Sequence, residues 1–149
     1  MTKRRYYYLA VTLAMAGCSE PGPSIAVSST QIVAPAPGRA ASVAYMTISN
    51  SSDDTVSIRK IEGPQFERIE LHETVLDDGI ARMQPLRTSI IAPGGEFSFK
   101  PGGPHIMLLE PTSGIVPGKI VTLHVHFSSG EIVIVQAPVS TRVSIVKDN

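Results

Sequence analysis

No stretch of this chain keeps an apolar stripe at the helical period of about 3.6 residues for three turns without meeting a glycine or a proline. Helix must therefore be minor. Instead, β-branched residues alternate at period two through Ser42–Ser49, Thr55–Ile61, Phe66–Val75, Ile80–Leu86, Glu96–Lys100, His105–Leu109, Lys119–Phe127 and Glu131–Val139. Turn formers separate them: Asn50-Ser51-Ser52-Asp53-Asp54, Asp77-Asp78-Gly79, Pro93-Gly94-Gly95, Pro101-Gly102-Gly103-Pro104 and Ser128-Ser129-Gly130. Strands at this spacing predict an all-β domain, an antiparallel Greek-key sandwich or barrel. With 149 residues, 42% of them hydrophobic, the chain has room for one such core and little else. No internal repeat, phosphate-cradling glycine loop or dinucleotide fingerprint interrupts the pattern.

Thirteen basic and thirteen acidic side chains cancel. A nucleic-acid partner is not expected from such a balance. The charge is uneven along the chain, however. Lys3, Arg4 and Arg5 precede the apolar run Tyr6–Met15, which is too short to span a bilayer but suits the core of a secretory signal. Met15-Ala16-Gly17-Cys18 follows and resembles the bacterial lipobox, whose cysteine is acylated and becomes the mature N-terminus. Cys18 is the only cysteine, and an unpaired thiol is a liability in an oxidising compartment. These features predict a lipoprotein signal over 1–17, a lipidated Cys18 with a proline-extended tether over 18–24, and a domain over 25–149. The expected location is the periplasm, anchored to membrane by lipid. Ser19 and Glu20 carry no inner-membrane retention signal, which points to the outer membrane.

Four side chains carry the chemistry. His72, Met83, His105 and Met107 form an H-x10-M-x21-H-x-M pattern. Thioether sulfur is a soft ligand suited to Cu(I), and imidazole tolerates Cu(I), Cu(II) and Zn(II), so two of each favour reduced copper. Methionine has no proton to lose and forms no disulfide, so it persists as a ligand where cysteine would be oxidised. His105 and Met107, two apart, share one face of a strand. If Val75 and Ile80 close a four-residue loop, Leu76–Gly79, then His72 stands directly opposite Met83; another register would set them diagonally. Glu70 and Glu73 flank His72. Met46 is expected in the core. His124 and His126 also share a strand face, as solvent-facing residues or as a second two-imidazole site.

The spacing and its surroundings, Leu71-His72-Glu73-Thr74, Met83-Gln84-Pro85, Pro93-Gly94-Gly95-Glu96 and Lys100-Pro101-Gly102-Gly103-Pro104-His105-Ile106-Met107-Leu108-Leu109, resemble the copper-binding motif of the PCu(A)C family of periplasmic copper chaperones. The resemblance covers roughly residues 25–140. It implies a cupredoxin-like β-sandwich in which the turn before His105 carries that residue and Met107 over His72 and Met83, so that the four ligate one Cu(I). It also implies delivery to the copper-site subunit of cytochrome c oxidase or its assembly factors. A carrier must release what it holds, and a shallow site of neutral ligands does so by stepwise exchange, one methionine being replaced by an incoming donor.

Other functions are weighed against it. A blue-copper electron carrier needs a cysteine ligand, and none exists beyond Cys18. A copper buffering or resistance protein would use the same four residues, and a metal-free structural module would use none. No Ser-His-Asp arrangement, supported carboxylate pair or HExxH helix is present, so catalysis is not expected. Imidazole must be neutral to bind metal and its unperturbed pKa is about 6.5, so copper affinity should weaken as pH falls below that region. A competition titration giving the same affinity at neutral and mildly acidic pH would contradict two-histidine ligation.

Overall fold

The structure, a computed structural model, describes residues 23–142. The signal segment, Cys18 and most of the tether lie outside the described residues. Ten strands follow one another: β1 (Ile25–Val33), β2 (Ala41–Asn50), β3 (Val56–Glu62), β4 (Phe66–Asp77), β5 (Ile80–Pro85), β6 (Ile90–Ile91), β7 (Glu96–Phe99), β8 (Pro104–Pro111), β9 (Ile120–Phe127) and β10 (Ile132–Ser140). They hydrogen-bond in the order β5-β4-β8-β2-β1-β10-β9-β3-β6, with β7 also on β2. No helix occurs among the described residues.

Alternation explains the closure. Along β2 every second residue, Ser42, Ala44, Met46, Ile48 and Asn50, is buried, and along β9 the same holds for Val121, Leu123, Val125 and Phe127. These inward faces join one core with Ile106 and Leu108 of β8 and Val135, Ala137 and Val139 of β10. The ribbon of strands thus doubles over as a cupredoxin-like sandwich. Its hinge is β1, which carries a bulge between Ser28 and Gln31 and holds Ser29 in the left-handed region at φ 50. The first half of β1 pairs with β2; the second half also pairs with β10, and in parallel. That parallel pair departs from the purely antiparallel sheet the sequence predicts, because the first and last strands run the same way where the two layers meet.

Two further differences bear on the site. β4 and β5 join through a two-residue turn, with Asp77 opposite Ile80 and both Asp78 (φ 50) and Gly79 (φ 77) left-handed, the geometry that twists with a hairpin. Of the two registers the sequence leaves open, the four-residue loop is not adopted and the diagonal one is: Met83 pairs with Thr74, and His72 pairs with Pro85. On the other side, β7 and β8 share one edge of β2. Met46 pairs with Phe99 and Ala44 with Ile106, so two steps on β2 are matched by seven on β7–β8. The excess residues loop out around Lys100–Pro104, beside His105.

Candidate metal centre

β4 is the middle strand of the β5-β4-β8 edge, and from Arg68 onward its even-numbered residues face away from the core, while Ile69 and Leu71 pack against it. His72 stands directly opposite His105, and Glu70 opposite Met107. Because side chains two apart share a face, His72, His105, Met107 and Met83 all project from the outer face of this three-stranded edge. The two rings meet edge to face, with centroids 6.2 Å apart and planes at 69°. A metal held by an imidazole nitrogen at about 2.0 Å sits between rings whose centroids are about 5–6.5 Å apart, so the pair already has the spacing of two ligands.

Both rings are oriented from behind. His105 Nδ1 lies 2.9 Å from the carbonyl oxygen of Gly103, and His72 Nε2 lies 3.0 Å from Glu70 Oε2. Each partner is an acceptor, so each of those nitrogens carries the hydrogen. The remaining nitrogens, His72 Nδ1 and His105 Nε2, are buried and have no hydrogen-bond partner. A buried polar atom left unpaired is costly, and these two are lone pairs on facing rings. His105 is only 6% exposed.

The looped-out turn does the positioning. The Gly103 carbonyl accepts from both His105 Nδ1 and the backbone N–H of Thr74, at 3.3 Å, while Lys100 and Pro104 close the loop through a 2.7 Å backbone bond. Gly102 sits at φ 76, with open space where a Cβ would lie. Gly102→Ala should therefore cost about 1–2 kcal/mol through backbone strain alone, read as a lower urea midpoint, and should weaken metal affinity by loosening His105. A variant as stable as the native chain would show that the left-handed turn is not needed.

The methionines differ. Met107 is part-buried, one same-face step along β8 from His105 and diagonal to His72. Met83 is diagonal to His72 in the opposite direction along the strands, on the edge strand β5, and 58% exposed. The register thus brings His72, His105 and Met107 together and leaves Met83 at the outer corner. Among the described residues no group of three or more His, Cys, Asp or Glu side chains is placed to hold a metal. Burial pushes the Tyr45 phenol above its ordinary value.

His124 and His126 stand on the outer face of the other layer, opposite Ile134 and Ile132. His126 Nε2 lies 2.8 Å from Glu62 Oε2. A hydrogen bond from Lys60, with a smaller contribution from His126, holds the Glu62 carboxyl below the usual range. His124 borders a shallow groove of about 400 Å³ with Phe66 and Ile69.

The fold is that of a PCuAC domain. It is similar to the apo PCuAC domain from PmoF1, with a TM-score of 0.67 and 18% identity over 80% of this chain and 96% of that one. The copper-bound PCuAC domain from PmoF2 gives 0.67 at 18%, covering 80% and 95%. The solution structure of apo-DR1885 from Deinococcus radiodurans gives 0.61 at 22%, covering 96% and 97%. The family model described as "Putative lipoprotein LpqE-like" matches residues 25–139, and the chain belongs to that family. A relative from Leifsonia xyli subsp. xyli, "Putative lipoprotein Lxx21020", is 26% identical over 140 residues, 87% of this chain and 84% of that protein.

Proposed function

We propose that this protein is a lipid-anchored periplasmic copper chaperone that binds one Cu(I) through His72, Met83, His105 and Met107 and passes it to the copper centres of cytochrome c oxidase or to their assembly factors. The observation that carries the reading is the pair of buried, unpartnered imidazole nitrogens on rings 6.2 Å apart, with a methionine beside them on the same face. Neutral nitrogen and thioether donors suit a soft monocation, and among the described residues no group of three His, Cys, Asp or Glu side chains offers the harder donor set. Support also comes from similar structures, the copper-bound PmoF2 domain and CuI-DR1885. The lipobox-like Met15–Cys18 and the family's description as lipoproteins support a chain divided into a signal over 1–17, an acylated Cys18 with tether over 18–24, and the copper domain from residue 25.

The reading is of a carrier, not an enzyme. His72, His105 and Met107 grip the ion from two adjacent strands. Met83, on the exposed edge, completes the sphere and is the ligand an acceptor displaces. X-ray absorption on the copper-loaded domain tests this: nitrogen and sulfur scatterers at one-to-one copper stoichiometry are expected, and nitrogen or oxygen alone would overturn it. Copper retained in the presence of an apo oxidase copper-site subunit would instead mark a storage protein.

A further inference from the structure

We infer that Glu70 is a positioning residue: it selects the tautomer of His72 and so decides that this ring meets the ion through Nδ1, while His105 meets it through Nε2. The copper arm of this inference rests on the function proposed above; the tautomer arm does not.

The geometry assigns the protons. Glu70 Oε2 lies 3.0 Å from His72 Nε2, and a carboxylate can only accept. With hydrogen on Nε2, the Nδ1 lone pair is left buried and without a partner, on a ring whose strand neighbour is His105. In the other tautomer the Nε2 lone pair would face carboxylate oxygen, and a buried Nδ1–H would have no acceptor. Both effects oppose it. His105 reaches the complementary state differently, by donating from Nδ1 to the Gly103 carbonyl at 2.9 Å. One ring is thus set by a backbone atom that no side-chain substitution removes, and the other by a single replaceable side chain.

Glu70 is itself held. Arg68, Glu70 and His72 lie at alternate positions along β4, hence on one face. Arg68 Nε is 3.3 Å from Glu70 Oε1, and its terminal nitrogen is 3.2 Å from Glu110 Oε1. The line Glu110, Arg68, Glu70, His72 leaves Oε2 of Glu70 to the imidazole. Opposite Glu70 in register is Met107, so the carboxylate stands one same-face step from the His72–His105 pair, at the margin of the candidate site. Outer-shell carboxylates of this kind orient a histidine and raise its basicity, and their removal typically costs about 10–100-fold in metal affinity.

The test uses the 15N-labelled domain in long-range proton–nitrogen spectra at neutral pH. The apo protein should show His72 protonated on Nε2 and His105 on Nδ1. Adding Cu(I), which is diamagnetic, should move chiefly His72 Nδ1 and His105 Nε2. Glu70→Ala should mix the His72 tautomers and lower Cu(I) affinity about 10–100-fold, leaving the His105 tautomer unchanged. Glu70→Gln, whose amide oxygen can accept the same hydrogen, should restore the Nε2–H tautomer. A native apo protein with His72 protonated on Nδ1 overturns the inference whatever the variants do. So does Glu70→Ala with native tautomer and affinity. Failure of the native protein to take up Cu(I), with the tautomers as stated, would defeat the chaperone reading alone.

Discussion

His105→Ala should abolish stoichiometric Cu(I) retention, and Met107→Ala should come close to doing so, whereas Met83→Ala should leave uptake intact and mainly speed release. The ranking follows from where the structure puts each donor. His105 is buried, faces His72 across one strand pair and has its ring fixed by the Gly103 carbonyl. Its nitrogen is therefore pre-oriented, and removing it leaves a lone imidazole with two thioethers. Met107 shares its strand and face, part-buried between Val43 and Glu70. Losing either should cost more than the about 10–100-fold expected of an outer-shell partner. Met83 is a different case, because it lies on an edge strand and is exposed, so ordering its side chain around an ion carries an entropic penalty that a buried ligand does not face. Its removal should weaken binding about tenfold or less and raise the dissociation rate. Competition against a chromogenic Cu(I) chelator gives the affinities, and stopped-flow transfer gives the rates. Equal losses for Met83→Ala and Met107→Ala would refute the inner-three, outer-one arrangement, and full retention by His105→Ala would remove His105 from the ligand set.

Much of this was readable in the residues, and the failures are instructive. Eight strands follow from period-two alternation, but two do not. β1 is interrupted at Ser28-Ser29, where a bulge breaks the alternation, and β6 is two residues long, below any periodic signal. The sequence leaves two registers open at the β4–β5 hairpin because Asp77-Asp78-Gly79 permits a longer loop; the turn uses Asp78-Gly79 alone, and the diagonal register follows, because both residues tolerate positive φ. The candidate ligands are visible as spacing because they are side chains. The groups that aim them are less so. The Gly103 carbonyl is backbone, and it reaches His105 only because the strand opposite β2 loops out there, a consequence of long-range pairing. Glu70 could be seen to flank His72, but its contact with Nε2 depends on rotamers that sequence does not state.

Asn50→Ala should lower stability by about 3–4 kcal/mol, the largest loss expected from any single polar side chain here, with copper affinity of the folded protein unchanged. Asn50 falls in a run that reads as a turn, yet it is 1% exposed. Its Nδ2 donates to the carbonyl oxygens of Asp54 at 2.7 Å, Ile91 at 3.2 Å and Ala92 at 3.2 Å, while Oδ1 accepts from Ser52 N–H at 3.1 Å and Ser52 Oγ at 2.6 Å. One amide therefore ties the end of β2 to the loop before β3 and to the segment leaving β6. Alanine strands several acceptors, each unsatisfied buried group costing about 1–3 kcal/mol, against a total stability for a domain of this size of about 5–15 kcal/mol. Asn50→Asp keeps the shape but aims a carboxylate at three carbonyls. Burial and those oxygens raise its folded-state pKa above the unfolded value near 3.9, so its penalty is full well above that value and shrinks as pH falls and the carboxyl protonates. At neutral pH it should be less stable than the alanine variant, and the order should narrow or reverse in acid. The copper face is unaffected because Asn50 lies seven residues along β2 from Val43, the partner of Met107, about 23 Å away. Urea midpoints across pH with parallel Cu(I) titrations decide it: a loss under about 1 kcal/mol for Asn50→Ala would mean that water replaces the amide and that the corner is not sealed.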